Sequence, residues 1–289
     1  MTSYRFLVNP TAGSGSAAGL VDQVAARLRA AGATVAVETS LSPEHSKASV
    51  AEAVAAGQVV VAAGGDGMLA SVAGSVVDAR GVLGVVPGGR GNDFARMLGL
   101  PSEPPAIAQR LLEARSTPVD VIGVDDGHVV LGSMYAGVDS LASEIVDASR
   151  RLPSAVQYPY AAVRSLLTYK PGRFTVTVDG STTEHDAYTV VVANSAYYGK
   201  GMRIAPAADV RDGLLDVVVL PAGSRFGMVR RLPKVYDGSH VDLPGVVVLR
   251  GRSVTVAAEH EVVAYGDGER LGPLPRTATV RPGALQVLA

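Results

Sequence analysis

Along the first 120 or so positions, apolar residues fall in short β-branched runs that end abruptly at glycine or small polar residues. Such runs occupy residues 5–8, 34–37, 59–63 and 82–86. Between them the apolar positions change period: Leu20, Val21, Val24, Ala25 and Leu28 recur with helical spacing, and Gly32 supplies the stop. Ser42-Pro43 opens a second helix that runs to Ala56, with Gly57 after it. A third helical pattern covers residues 68–77. Strands alternating with helices on short connections predict a parallel sheet covered on both faces, which binds ligands at the carboxyl ends of its strands. Glycine-rich stretches follow the first, third and fourth runs, so all of them fall on that edge.

The third run is the most informative. Residues 59–67 read V-V-V-A-A-G-G-D-G, a buried strand feeding a turn and a helix. Glycine there lets backbone approach a ligand, and the free amides and positive dipole end of the following helix favour an anion. Asp66 would repel a phosphate, so it must be solvated, cap the helix, or act through a cation such as Mg²⁺.

Near Pro118 the pattern changes. Short β-branched strands are now broken by Asp-Gly pairs at Asp126-Gly127, Asp179-Gly180, Asp212-Gly213 and Asp267-Gly268, which predicts an antiparallel β domain. Helical patterns interrupt it over about 140–169 and near 226–236. The expected organisation is an α/β domain over 1–119 and a β-rich domain over 120–289, packed together with a cleft between them.

Composition narrows the chemistry. The 289 residues contain no cysteine and carry a net charge of −1, with 47% hydrophobic residues and five scattered His. Disulfides, thiol catalysis and Cys/His zinc sites are excluded, and balanced charge gives no pull toward nucleic acid. Residues 1–10 lack the features of a signal peptide, and no apolar stretch reaches spanning length, so the cytoplasm is the expected compartment.

Taken in order, N-P-T-A-G at residues 9–13, G-G-D-G at 64–67, P-G-G-R-G-N-D-F-A-R at 87–96, D-G-L-L-D at 212–216 and G-D-G-E at 266–269 resemble the diacylglycerol kinase catalytic-domain family, which includes bacterial lipid kinases and the sphingosine and ceramide kinases. The resemblance implies an α/β nucleotide domain of the NAD kinase and diacylglycerol kinase type, followed by an antiparallel β-sandwich-like lipid domain whose last strand returns toward the first. It implies that Asn9, Pro10, Thr11, Ala12, Gly13 and Thr39 line an ATP site, with Gly64, Gly65, Asp66, Gly67, Met68, Leu69 and Ala70 as the phosphate-binding turn. Gly89, Arg90, Gly91 and Asn92 would form a second nucleotide loop. Asp66 and Asp93 resemble acidic residues that hold a Mg²⁺–water network, and Glu269 resembles a general base that deprotonates the lipid hydroxyl. Asp212, with the carbonyls of Leu215 and Val217, resembles a structural Mg²⁺ site. Each has a plainer reading: Asp66 and Asp93 as helix caps, and Glu269 and Asp212 as turn carboxylates.

Two positions depart from the family pattern. Met68 stands where Thr is usual, and Arg90 where Thr or Ser is usual, so two hydroxyls are lost from the nucleotide loops; a guanidinium at 90 would offset one loss. The implied activity is ATP- and Mg²⁺-dependent phosphorylation of a lipid hydroxyl, with diacylglycerol the first acceptor to consider. The alternatives are a NAD kinase-like enzyme, or a non-catalytic lipid- or nucleotide-binding protein. Basic residues interleaved with apolar ones over 149–173 (Arg150, Arg151, Arg164, Lys170, Arg173, with Tyr158, Tyr160 and Tyr169) and 224–235 (Arg225, Arg230, Arg231, Lys234, with Phe226, Met228 and Leu232) suit peripheral contact with an anionic membrane, or an ordinary solvated helix face. A homodimer is left open.

Overall fold

The computed structural model describes residues 2–8, 16–89, 91–149 and 153–289. The first half alternates as its pattern requires: β1 (Ser3–Val8), α1 (Ser16–Ala30), β2 (Thr34–Thr39), α2 (Pro43–Ala55), β3 (Val59–Gly64), α3 (Asp66–Ala79), β4 (Val82–Pro87), α4 (Asp93–Met97) and α5 (Pro104–Glu113). The strands pair in parallel in the order β4-β3-β1-β2. Both faces are buried, so successive residues of one strand feed different cores: Leu7, Val60 and Ala62 pack toward α2 and α3, whereas Tyr4, Phe6, Val61 and Ala63 pack toward α1 and α5. The Tyr4 hydroxyl donates to the Leu111 carbonyl at 2.8 Å, which ties the sheet to α5. Ser42 caps α2 as expected, accepting from the His45 amide at 3.2 Å.

The second half comprises β5 (Ser116–Val124), β6 (Val129–Val130), β7 (Ser133–Gly137), α6 (Val138–Ala148), α7 (Ser154–Thr168), β8 (Gly172–Val178), β9 (Ser181–Ala193), β10 (Leu215–Pro221), α8 (Arg225–Asp237), β11 (Val247–Gly251), β12 (Ser253–Ala258), β13 (Val263–Gly266), β14 (Glu269–Pro273) and β15 (Arg276–Leu288). The expected helical insertion over 140–169 is thus two helices. Asp126-Gly127, Asp179-Gly180 and Asp267-Gly268 each join two paired strands, with Asp179 and Asp267 in the left-handed region that such turns need. Asp212-Gly213 instead lies in the loop entering β10 and joins no strand pair. The sandwich-like core is built from Phe174, Val176, Val190, Val192, Val217, Val219, Val254 and Val256.

The halves are not joined by a linker. β15 pairs antiparallel with β5 along residues 278–288 and parallel with β4 at Gln286 and Val287, so the change of character near Pro118 falls inside a strand of a continuous mixed sheet.

Candidate active site

The carboxyl ends of β3 and β4 lie side by side, and the loops that leave them touch through backbone. The Gly88 amide donates to the Gly64 carbonyl at 2.9 Å. A Cβ at Gly89 would collide with the Gly65 Cα and stand 2.9 Å from Asn92 Oδ1, so glycine is required by the close approach of the two chains. Asn92 holds the second loop: its Oδ1 accepts from the Gly89 amide at 2.9 Å, its Nδ2 donates to the Gly89 carbonyl at 3.0 Å, and its own backbone is left-handed. Gly89→Ala should therefore separate the loops. A loss of about 2–4 kcal/mol in chemical denaturation is the expected result.

α3 begins at Asp66 with Gly65 as its N-cap and no side chain capping its amides. The Leu69 amide already donates to the Gly65 carbonyl, and both Leu69 and Ala70 are buried, so the amides available to an anion end at Met68. The Met68 side chain packs against the core formed by α2, α3 and β4. Thr39, at the end of β2, is exposed and lies beside Val8. Asn9, Pro10, Thr11, Ala12, Gly13 and Arg90 lie outside the described residues.

Neither aspartate caps its own helix. Asp66 Oδ1 accepts the Asp93 amide at 2.7 Å, so it caps α4 from across the junction. A Cβ at Gly91 would stand 2.7 Å from Asp66 Oδ2 and 3.5 Å from Asp93 Oδ2, so glycine leaves both carboxylates uncovered on this side. Burial pushes the Asp66 carboxyl above the ordinary carboxylate range, and the neighbouring Asp93 charge adds to the effect. Asp93 is itself buried and accepts the Lys200 amide at 2.8 Å and the Gly201 amide at 2.7 Å. These amides belong to the β9–β10 connection of the second half. Arg96 stacks over the Tyr197 ring of that connection, 5.8 Å from its centroid.

A second element of the β domain reaches the same place. The β13–β14 turn carries Asp267, whose carboxylate accepts the amides of Leu131, Gly132 and Ser133 at 2.6, 2.9 and 3.2 Å. Burial pushes its pKa up to about 6, and the field of Asp66 is among the contributors. Asp267 thereby fixes the hairpin bearing Glu269, an exposed residue at the start of β14. Sequence reasoning read Asp267 only as half of an Asp-Gly turn and assigned nothing to Lys200 or Gly201; the partners of both lie far away in the chain.

Glycine loops in backbone contact, uncapped helix amides and oxygen-only side chains fit a nucleotide phosphate with Mg²⁺. Among the described residues no group of three or more His, Asp or Glu could hold a metal, so such an ion would take most of its ligands from phosphate and water.

Comparison with known proteins decides the family. The diacylglycerol kinase catalytic domain matches residues 3–124, and the YegS C-terminal NAD kinase beta sandwich-like domain matches residues 132–289. The chain belongs to the diacylglycerol kinase catalytic-domain family. Within it, a diacylglycerol kinase of Mycobacterium tuberculosis is 32% identical over 98% of this chain and 93% of its own length. A probable lipid kinase YegS-like protein of Pseudomonas aeruginosa is 33% identical over 90% of this chain and 86% of its own. The fold also matches a solved diacylglycerol kinase of Bacillus anthracis with a TM-score of 0.76 at 20% identity, covering 99% of this chain and 96% of that one. The residues around Asp66 and Asp93 stand where the part matched by the catalytic domain meets the part matched by the beta sandwich-like domain.

Proposed function

We propose that the protein is an ATP- and Mg²⁺-dependent kinase that transfers the γ-phosphate of ATP to the hydroxyl of a membrane lipid, with diacylglycerol as the first acceptor and phosphatidic acid as its product. The observation that supports this reading is the junction itself: the glycine loops bring Asp66 and Asp93 together, and Asp66 lies within the field of Asp267, in the hairpin that also bears Glu269. In it the amides of Gly67 and Met68 bind phosphate oxygens. Asp93 holds the 199–201 loop over the site, and Asp267 holds the hairpin. Glu269 takes the proton from the acceptor hydroxyl. Mg²⁺, held by Asp66 and Asp93, would offset charge on the transferred phosphate.

The acceptor lives in a bilayer, and two helices of the β domain suit contact with its surface. α7 exposes Val156, Tyr160, Val163 and Leu167, with Leu167 59% accessible, and α8 exposes Val229, Leu232 and Tyr236; both spacings are helical. Arg164 on α7 and Arg225, Arg231 and Lys234 on α8 add positive charge. Three residues of the expected surface do not contribute. Arg173 pairs with Asp186, Glu184 and Glu259, whereas Tyr169 and Met228 are buried. Arg150 and Arg151 lie outside the described residues, as do the side chains of Tyr158 and Phe226. No described helix is long and apolar enough to cross a membrane. Peripheral docking from the cytoplasm follows on this reading. Val163→Asp/Leu167→Asp should lower sedimentation with phosphatidylglycerol vesicles about tenfold or more at unchanged melting temperature, and wild-type binding should fall as salt rises.

The test of function is an acceptor panel: diacylglycerol, ceramide, sphingosine and an isoprenoid alcohol in mixed micelles, and NAD in solution, each with γ-labelled ATP and Mg²⁺. Label in a lipid is expected. Label in NAD alone would move the protein to the NAD kinase reading. Since Met68 packs into the core and offers no hydroxyl to the loop, no label anywhere in protein that binds ATP would make it a binding protein.

A further inference from the structure

Apart from the Asp66–Asp93 site, a second cluster of charged side chains among the described residues is built around a buried group. Asp216 on β10 and Arg250 on β11 are directly opposite each other in the antiparallel ladder, so their side chains share a face. The Asp216 carboxylate is buried, with the residue 1% accessible, and among the described residues its Oδ1 accepts no hydrogen bond. What compensates it is charge: Arg250 Nε lies 3.2 Å from that oxygen. The same guanidinium reaches Asp212 Oδ2 through Nη2, while Asp212 Oδ1 accepts the Leu214 amide at 2.9 Å. One arginine therefore bridges two carboxylates, one of them out of contact with water.

These are the residues to which the family resemblance assigns a structural Mg²⁺, with Asp212 and the carbonyls of Leu215 and Val217 as ligands. As arranged here they do not fit an ion. The position between the acids is taken by the guanidinium, while Leu215 lies opposite Gly251 and Val217 lies between Val192 and Leu249 within the ladder. We infer that Arg250 is the cation of this site, a residue of the chain standing where the family resemblance places a divalent ion, so that the β10–β11 corner closes without metal. The inference rests on family membership only for the ion that is replaced; the bridge itself is independent of any catalytic reading.

The bridge sits where it matters for the join between the halves. The loop that carries Asp212 is tied to Asp120 of β5, whose Oδ2 accepts the Gly213 amide at 2.8 Å and whose amide donates to the Val210 carbonyl at 2.7 Å. Asp120 Oδ1 accepts the Gly283 amide of β15 at 2.7 Å. Arg250 thus ties β11 to a loop that Asp120 holds against the two strands linking the halves.

The test is the melting temperature of the full chain, free of nucleotide, in EDTA and along a Mg²⁺ titration, for wild type, Asp212→Asn and Arg250→Met. Wild type and Asp212→Asn are expected to show the same Mg²⁺ increment, whatever the Asp66–Asp93 site contributes to it. Arg250→Met should melt about 4–10 °C below wild type in EDTA and recover at least half of that loss in millimolar Mg²⁺, because the ion then finds two unpaired carboxylates. A Mg²⁺ increment present in wild type and lost in Asp212→Asn would overturn the inference, as would an Arg250→Met protein as stable as wild type. Should Arg250→Met fail to fold, the comparison of wild type with Asp212→Asn still decides, and Arg250→Lys, which keeps the charge, should fold. None of these readouts depends on kinase activity, so failure here leaves the proposed function standing.

Discussion

Replacing Asp66 with alanine is expected to lower phosphate transfer by about 10³-fold or more while shifting the melting temperature by only a few degrees. The two effects separate because the carboxylate has two jobs of different size. Structurally it accepts the Asp93 amide at 2.7 Å, with the Phe94 and Asn92 amides also favouring its charged form, and loss of the Asp93 bond leaves a part-buried donor unpaired at a cost of about 1–3 kcal/mol. That cost is offset in part, since removing Asp66 also removes its repulsion with Asp93 and the penalty of holding a buried charge, the causes that raise its pKa. Chemically, phosphoryl transfer relies on positioning and on cations that offset charge at the transferred group, and on the proposed function Asp66, the first residue of α3, would hold such a cation. Asp66→Asn refines the test: it keeps an oxygen for the Asp93 amide but loses the charge, so it should restore stability without restoring transfer.

The second large effect is expected at Glu269. Glu269→Gln should lower kcat by about 10²–10⁴-fold with the KM for ATP unchanged within about twofold, as befits a proton acceptor that does not touch the nucleotide. The side chain is exposed at the first position of β14, so the substitution removes no buried contact, and the melting temperature should not move. Asp267, two residues earlier, should behave differently. Its oxygens accept three amides of the β6–β7 connection, and an amide side chain could accept at only one of them, so Asp267→Asn should lower stability along with rate. A pair of variants two residues apart, one losing rate alone and the other both, would distinguish the base from the residue that positions it.

Much of the α/β half was legible because its signals are local. A β-branched run stopping at Gly64, Ser42 ahead of Pro43, and helical spacing from Leu20 to Leu28 each refer to residues within a few positions, and β3, α2 and α1 follow. α5 gave no comparable cue: its buried positions Ile107, Ala108 and Leu111 make a narrow stripe in an otherwise polar and proline-led segment, and its place is set by packing against α1 and the Tyr4 hydroxyl. The Asp-Gly pairs mark turns as expected; at 126, 179 and 267 strands of suitable register make those turns hairpins, whereas at Asp212 the turn lies in a loop whose Gly213 amide goes to Asp120.

The candidate site divides along the same line. Gly64, Gly65, Asp66, Gly89 and Gly91 stand out in the sequence because strand ends and glycines mark them, and Asp93 through the family resemblance, although the reason for Gly89, contact with Gly65, needs both strands in place. What could not be read is who holds whom. Asp93 meets Lys200 and Gly201, Asp267 meets Leu131, and Asp216 meets Arg250 across separations of 107, 136 and 34 residues, and only the order of strands in the sheet brings them together. Carboxylates that looked like turn or cap residues prove to be acceptors for distant backbone amides, which is how polar groups buried at a domain junction are satisfied.

The most direct test is labelled-phosphate transfer from ATP to diacylglycerol in mixed micelles with Mg²⁺, run side by side for wild type and for Asp66→Ala protein with a matching melting curve. Labelled phosphatidic acid from wild type, and none above background from the variant, is the expected result. Equal label from both would show that the junction of the glycine loops is not where transfer occurs, and no label from wild-type protein that binds ATP would contradict kinase activity toward this acceptor.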